Sequence, residues 1–414
     1  MRIFGIAIIV VLFSSEILSC SGRNSTISDN SSKENVHISE LDTLIYPGIY
    51  QTDKYFNLLD GKKIGVVSNH TGIINSVHIV DTLLSFRFNV IKVFCPEHGF
   101  RGTGDAGAKI SDEVDEKTGL PIVSLYGKNK KPTPEQLQDV DIIVFDLQDV
   151  GVRFYTYIST LHYVMEACAE QNIPLIVLDR PNPNAYYIDG PVLDTSKYRS
   201  FIGMHPVPIV YGMTIGEYAK MINGEKWLNG GINCNLTVIP CKNYNHNKHY
   251  SLPVRPSPNL PNDRSIELYP TLCLFEATIL SVGRGTDKQF QIFGHPLYKD
   301  VEGAYFTFTP KSTEGAKDPV LNGKLCYGFD LSKDNSIFDI QKGKINLDII
   351  IKAYNLFPDK ENFFKKTNSY ELLAGDSEFR KQITLGLSEK EIRDTWRQDI
   401  ENFKQIRKKY LMYE

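Results

Sequence analysis

Four short polar clusters each stand directly after an apolar run. Ser68-Asn69-His70-Thr71-Gly72 follows KKIGVV, and Pro96-Glu97-His98-Gly99 follows NVIKVFC. Asp146-Leu147-Gln148-Asp149 follows VDIIVF, and Asp179-Arg180-Pro181-Asn182-Pro183 follows IPLIVL. Together they hold carboxylates and imidazoles for proton transfer, with amides and a guanidinium to grip a polar ligand. Any one of them is ordinary turn chemistry. If the runs are parallel strands, all four converge on one edge and line a cleft.

Arg153 adds a possible anion site. A helix starting near Gly151 would carry it in the first turn, where the helix dipole already disfavours a cation. A guanidinium beside open N–H groups there suits a carboxylate or phosphate. The alternatives are a salt bridge to Asp149 or Asp146, and Asp149 acting as the helix cap.

Several motifs fail on context. GTGDAG (102–107) matches G-x-G-x-x-G but starts several residues after its strand and precedes no clear helix. There is no G-x-S-x-G elbow and no H-E-x-x-H zinc motif. His246-Asn247-Lys248-His249 reads as a solvated loop. His70, His98 and Asp146 could hold a metal, which keeps metal-assisted hydrolysis as a rival reading; the expectation is no metal.

The elements that must position these groups come from periodicity. The four runs are continuous and β-branched, as in strands buried on both faces. Phe154, Ile158, Leu161, Met165 and Cys168 form one helical stripe, and CNLTVIPC gives a fifth strand after the helical MTIGEYAKMINGE. This alternation predicts an α/β fold, a Rossmann-like doubly wound, mostly parallel sheet, over residues 44–254. The proline-dense RPSPNLPND (255–263) opens a second, smaller α+β domain over 255–414, with YFTFTP and CYGFDL as strands. It closes on a helix striped by Ile392, Trp396, Ile400, Phe403 and Ile406.

The 414 residues can form a large core, and a net charge of -3 without a dominant basic run excludes a nucleic-acid binder by its composition. Residues 1–20, with Arg2 before a short apolar stretch, read as an export signal ending in a lipobox at Cys20. Residues 21–43 read as a flexible tether, so the expected address is the cell envelope, anchored to the membrane by lipid. Cys234 and Cys241 would lie about 23 Å apart along an extended strand, too far to bridge, so the cysteines are expected to be mostly buried free thiols.

PEHGFRG, DLQDVGVRFYTY, DRPNP, GPVLD and SVGRGT occur in the order seen in the NamZ-type exo-β-N-acetylmuramidases, glycoside hydrolase family 171, which the chain resembles over nearly its whole mature length. The resemblance implies release of N-acetylmuramic acid from the non-reducing end of peptidoglycan fragments, in a cleft between two domains, without metal or nucleotide cofactor. It places the family's proposed catalytic glutamate on Glu97, where partial burial would raise the carboxyl pKa for a general acid. The other reading ties Glu97 structurally to His98 or Arg101. The substrate's lactyl carboxylate would suit Arg153 or, in competition, Arg284. Asn69, His70, Gln148 and Tyr155 would hydrogen-bond the sugar, with His98 and Arg101 in support. Asp146, Asp179 and Glu276 are candidates for a second carboxylate, unless the substrate's acetamide does that work. A non-catalytic lipoprotein binding cell-wall sugars is the rival from another class.

Overall fold

A computed structural model describes residues 43–96, 99–101, 113–333 and 337–414. The leader, Cys20, nearly all of the tether, Glu97, His98 and GTGDAG lie outside the described residues. Ile45–Glu414 form one compact unit.

The strands are β1 (Lys63–Ser68), a hairpin of β2 (Ile73–Ile74) and β3 (Val77–His78), β4 (Asn89–Cys95), β5 (Glu113–Val114), β6 (Pro121–Ser124), β7 (Ile142–Asp146), β8 (Leu175–Leu178) and β9 (Leu236–Ile239). The main sheet has the order β5-β6-β4-β1-β7-β8-β9. All of its pairings are parallel except β5 with β6. Taken in chain order the parallel strands read 3-2-1-4-5-6, the Rossmann arrangement, whose order reverses between β1 and β7.

Each strand feeds two cores, since successive side chains point to opposite faces. Val66, Val93, Val144 and Ile176 pack on one side with α1 (Thr52–Leu59) and α2 (Ile79–Ser85). Val67, Phe94, Phe145 and Val177 pack on the other. There they meet α4 (Tyr157–Gln171) and α5 (Ile215–Gly224); the short α3 (Pro134–Leu137) precedes β7. This double burial is why the runs carry no polar alternation.

Four helix starts are written locally as reciprocal caps: Thr133 with Gln136, Thr214 with Glu217, Asn262 with Ser265, and Ser388 with Glu391.

After α6 (Asp263–Leu272) the chain forms a three-stranded antiparallel sheet, β10 (Ile292–His295), β12 (Cys326–Asp330) and β11 (Phe306–Phe308). The helices α7 (Leu347–Leu356), α8 (Ser369–Ala374), α9 (Glu378–Thr384) and α10 (Glu389–Lys408) follow. Ile392, Trp396, Ile400 and Phe403 are buried as their stripe predicts, and they share a continuous core with Val67 and Phe145 of the first sheet.

Two sequence expectations are corrected. β6 and β5 were not foreseen: PIVS is only four residues long and opens on a proline, which is tolerated at a strand's first position. α4 begins at Tyr157, not near Gly151. Gly151 has φ 76°, and a Cβ there would lie 2.2 Å from Asn182 Oδ1, so the backbone turns before the helix starts. The six described cysteines are buried and free, Cys234 and Cys241 included.

Candidate functional site

The reversal between β1 and β7 places the residues after these strands at a natural ligand crevice. Asn69 is fully buried there. Its Oδ1 accepts from Thr71 N (3.0 Å) and Thr71 Oγ1 (2.7 Å), and its Nδ2 donates to Tyr157 Oη at 2.7 Å. Gln148 N donates to Thr71 Oγ1 (3.3 Å), and Gln148 Nε2 donates to the carbonyls of Asp149 and Pro181 at 2.8 Å each. Arg180 reaches across from the end of β8 to Asp146, Nε to Oδ1 at 2.5 Å and Nη2 to Oδ2 at 2.9 Å. Three of the four polar clusters do share one edge, and they hold each other in place.

His78 braces this edge from below. Its Nδ1 accepts from Val80 N (3.2 Å), capping α2, so Nε2 carries the proton and donates to the Asn69 carbonyl at 2.8 Å. Burial pushes its pKa down to about 4. Between the unfolded value and about 4 only the unfolded chain takes up this proton, so the histidine's contribution is complete above the unfolded value and is lost as pH falls through about 4. Acidification should therefore remove up to about 3 kcal/mol through this group. His78→Asn, a capping residue that does not titrate, should show a correspondingly smaller fall in urea midpoint between neutral and acidic buffer. An unchanged fall would remove His78 from that role.

Several candidates turn out to be structural. Asp146 is fully buried, with both oxygens on Arg180, and is thereby excluded as a free catalytic carboxylate. Asp179, also fully buried, accepts from Arg180 N (2.9 Å), Thr214 Oγ1 (2.7 Å), Gly216 N (2.7 Å) and Tyr413 Oη (2.5 Å). It anchors the start of α5 instead of binding a ligand, and burial pushes its carboxyl up to about 7.

Arg153 overturns the anion-site expectation. Its side chain is wholly buried, and it donates to the carbonyls of Pro191 (2.9 Å), Val207 (2.7 Å), Leu373 (3.0 Å) and Ala374 (2.6 Å). No edge of the guanidinium faces a cleft. Gln148 is likewise enclosed, its amide nitrogen spent on carbonyls. Arg101 makes a two-pronged bond to Asp115 (3.1 and 2.7 Å) over the Phe100 ring.

His70 and Tyr155 hold a lid-like loop. His70 Nε2 contacts the Arg255 carbonyl at 2.8 Å, and Tyr155 Oη donates to the Pro256 carbonyl at 2.8 Å. The proline-rich segment is thus laid over the sheet edge. Under it lies a small pocket of about 60 Å³, partly open to solvent and walled by Tyr155, Tyr157, Tyr269 and Phe290, with Asn259 and Arg284 at its polar side. Arg284 Nε donates to Glu276 Oε1 at 2.5 Å. Aromatic walls with one guanidinium suit a sugar ring carrying an anionic substituent.

Sequence reasoning missed Tyr157, Asn259, Tyr269 and Phe290; the only local signal was the proline density of the loop above them. His246 is also corrected, being buried against Glu217 Oε2 (2.8 Å) and not solvated. Among the described residues no cluster of three or more His, Cys, Asp or Glu side chains could hold a metal.

The model of the family described as exo-beta-N-acetylmuramidase NamZ matches in its N-terminal part over residues 64–264 and in its C-terminal part over residues 267–413. The peptidoglycan beta-N-acetylmuramidase NamZ of Bacillus subtilis (strain 168) is 40% identical over 381 residues, covering 87% of this chain and 89% of that protein. A crystal structure of a DUF1343 family protein from Bacteroides fragilis NCTC 9343 superposes with a TM-score of 0.81 at 47% identity, covering 90% of this chain and 99% of the other. A second DUF1343 family structure from the same organism gives 0.76 at 30% identity, covering 90% and 100%.

Proposed function

The chain belongs to the exo-β-N-acetylmuramidase NamZ family, from which we infer a peptidoglycan β-N-acetylmuramidase, a glycoside hydrolase; we propose Glu97 as its general acid. The activity rests on the match along nearly the whole chain. The observation that supports Glu97 is strand register: β4 pairs with β1 as far as Phe94 opposite Val67, so the chain leaves β4 beside Ser68 and Asn69 at the sheet's crevice. An acid there would protonate the leaving oxygen as the glycosidic bond breaks.

The sugar in the −1 position would lie under the 255–263 loop, against the tyrosine-walled pocket. Asp146 and Asp179 are committed to internal hydrogen bonds and Glu276 to Arg284, so the second group we favour is the substrate's own acetamide, which attacks the anomeric carbon and leaves its configuration retained. Proton NMR of the first-formed sugar decides this, since release of the inverted anomer would exclude the acetamide as nucleophile.

We further propose that residues 1–20 direct export, that Cys20 carries the lipid anchor, and that residues 21–43 tether the enzyme within the cell envelope, where peptidoglycan fragments are its substrates. Cys20→Ala should move the protein from the membrane to the soluble envelope fraction; retention at the membrane would overturn the anchor.

Incubation with a chromogenic β-N-acetylmuraminide tests the activity. Release of chromophore, insensitive to chelators, is expected. Saturable binding of the sugar without release would instead favour a sugar-binding lipoprotein.

A further inference from the structure

Arg153 is closed to ligands, so an anionic sugar substituent needs another cation. Arg284 sits between Gly283 and Gly285, both at φ 78°, and a Cβ on Gly285 would lie 2.4 Å from the Lys311 carbonyl. Only glycine fits this turn, which fixes where Arg284 leaves the backbone. Glu276 then holds Nε, and the guanidinium carbon stands 5.0 Å from the centre of the Phe290 ring. Among the described residues neither Nη group has a hydrogen-bond partner, and the side chain lines the tyrosine-walled pocket. One edge of the fork is therefore gripped and the other is open. Tyr157, a wall of this pocket, is the residue that bonds Asn69 at the end of β1, so the open edge belongs to the same crevice as the proposed chemistry.

We propose that this pocket selects muramic acid by its lactyl carboxylate, which the open Nη edge of Arg284 binds, and that Glu276 is a positioning residue for Arg284. This rests on the muramidase reading and deepens it: Glu276 acts on specificity through the arginine and is not the second catalytic carboxylate. Planar two-pronged recognition is what a guanidinium offers and an ammonium does not.

The test is calorimetric titration with N-acetylmuramic acid and with its lactyl methyl ester, which removes the charge and adds one methyl group. Wild type should bind the acid about 10- to 100-fold more tightly than the ester, the range expected of charge-assisted hydrogen bonds. Arg284→Met should abolish that preference, the acid losing far more affinity than the ester, and Arg284→Lys should recover only part of it. Glu276→Ala should weaken the preference, and Glu276→Gln, which keeps an acceptor for Nε, should restore most of it.

Urea midpoints close to wild type would establish that the variants are folded. Equal binding of acid and ester by wild type, or a preference that survives Arg284→Met, would overturn the proposal. So would an equal loss for both ligands. Because binding is read without turnover, failure to cleave muraminides would count against the muramidase reading alone.

Discussion

Glu97→Gln should lower kcat on a β-N-acetylmuraminide with a sugar leaving group by about 100- to 10,000-fold, the range that a positioned general acid contributes. Glutamine matches the carboxyl in size but cannot deliver a proton. The loss should depend on the leaving group. A phenol with a low pKa departs almost unaided, so an activated aryl muraminide should suffer far less than a disaccharide. The basic limb of the pH–rate profile should also disappear, because that limb reports deprotonation of the acid. Equal losses on both substrates, with the limb intact, would assign Glu97 to substrate binding. Undiminished cleavage of the disaccharide would remove it from the reaction.

The second large effect falls on stability. Arg153→Met should destabilise the fold by about 3–5 kcal/mol, the cost of breaking a buried hydrogen-bonded charge. Four carbonyls, of Pro191, Val207, Leu373 and Ala374, lose their donor in a place water does not reach. Orphaned buried acceptors cost about 1–3 kcal/mol each before relaxation, so the total is a partly relieved sum. Gly375, at φ 86°, leaves the room the guanidinium needs, since a Cβ there would stand 2.5 Å from Nη2. Urea denaturation measures the effect, and a change below about 1 kcal/mol would mean that this strap of four hydrogen bonds is dispensable. The folded fraction should still prefer N-acetylmuramic acid over its methyl ester, in contrast to Arg284→Met.

Arg153 also marks where sequence reading reached its limit. The runs around Val66, Val93, Val144 and Ile176 were legible because strands buried on both faces must be apolar throughout. The shared edge of their polar ends followed from parallel order. Arg153 was misread because GVRFYTY continues the apolar spacing of α4 backwards past its true start at Tyr157, while Gly151 and Asn182 bend the backbone there. Its partners at 373 and 374 leave no local trace. Asp146 and Asp179 were correctly placed at the strand ends, but their commitment to Arg180, Thr214 and Tyr413 depends on contacts between distant segments. The pocket walls Tyr269 and Phe290 were hidden for the same reason.

The span of the Arg153 strap also bears on how the chain matures. Arg153 and Ala374 are 221 positions apart. At roughly 5–20 residues per second of synthesis, the arginine waits about 10–45 s before its last carbonyl exists. During that interval only two of its four acceptors, the Pro191 and Val207 carbonyls, have been made. Closure of the strap therefore waits for α8, the last of the segments that it joins.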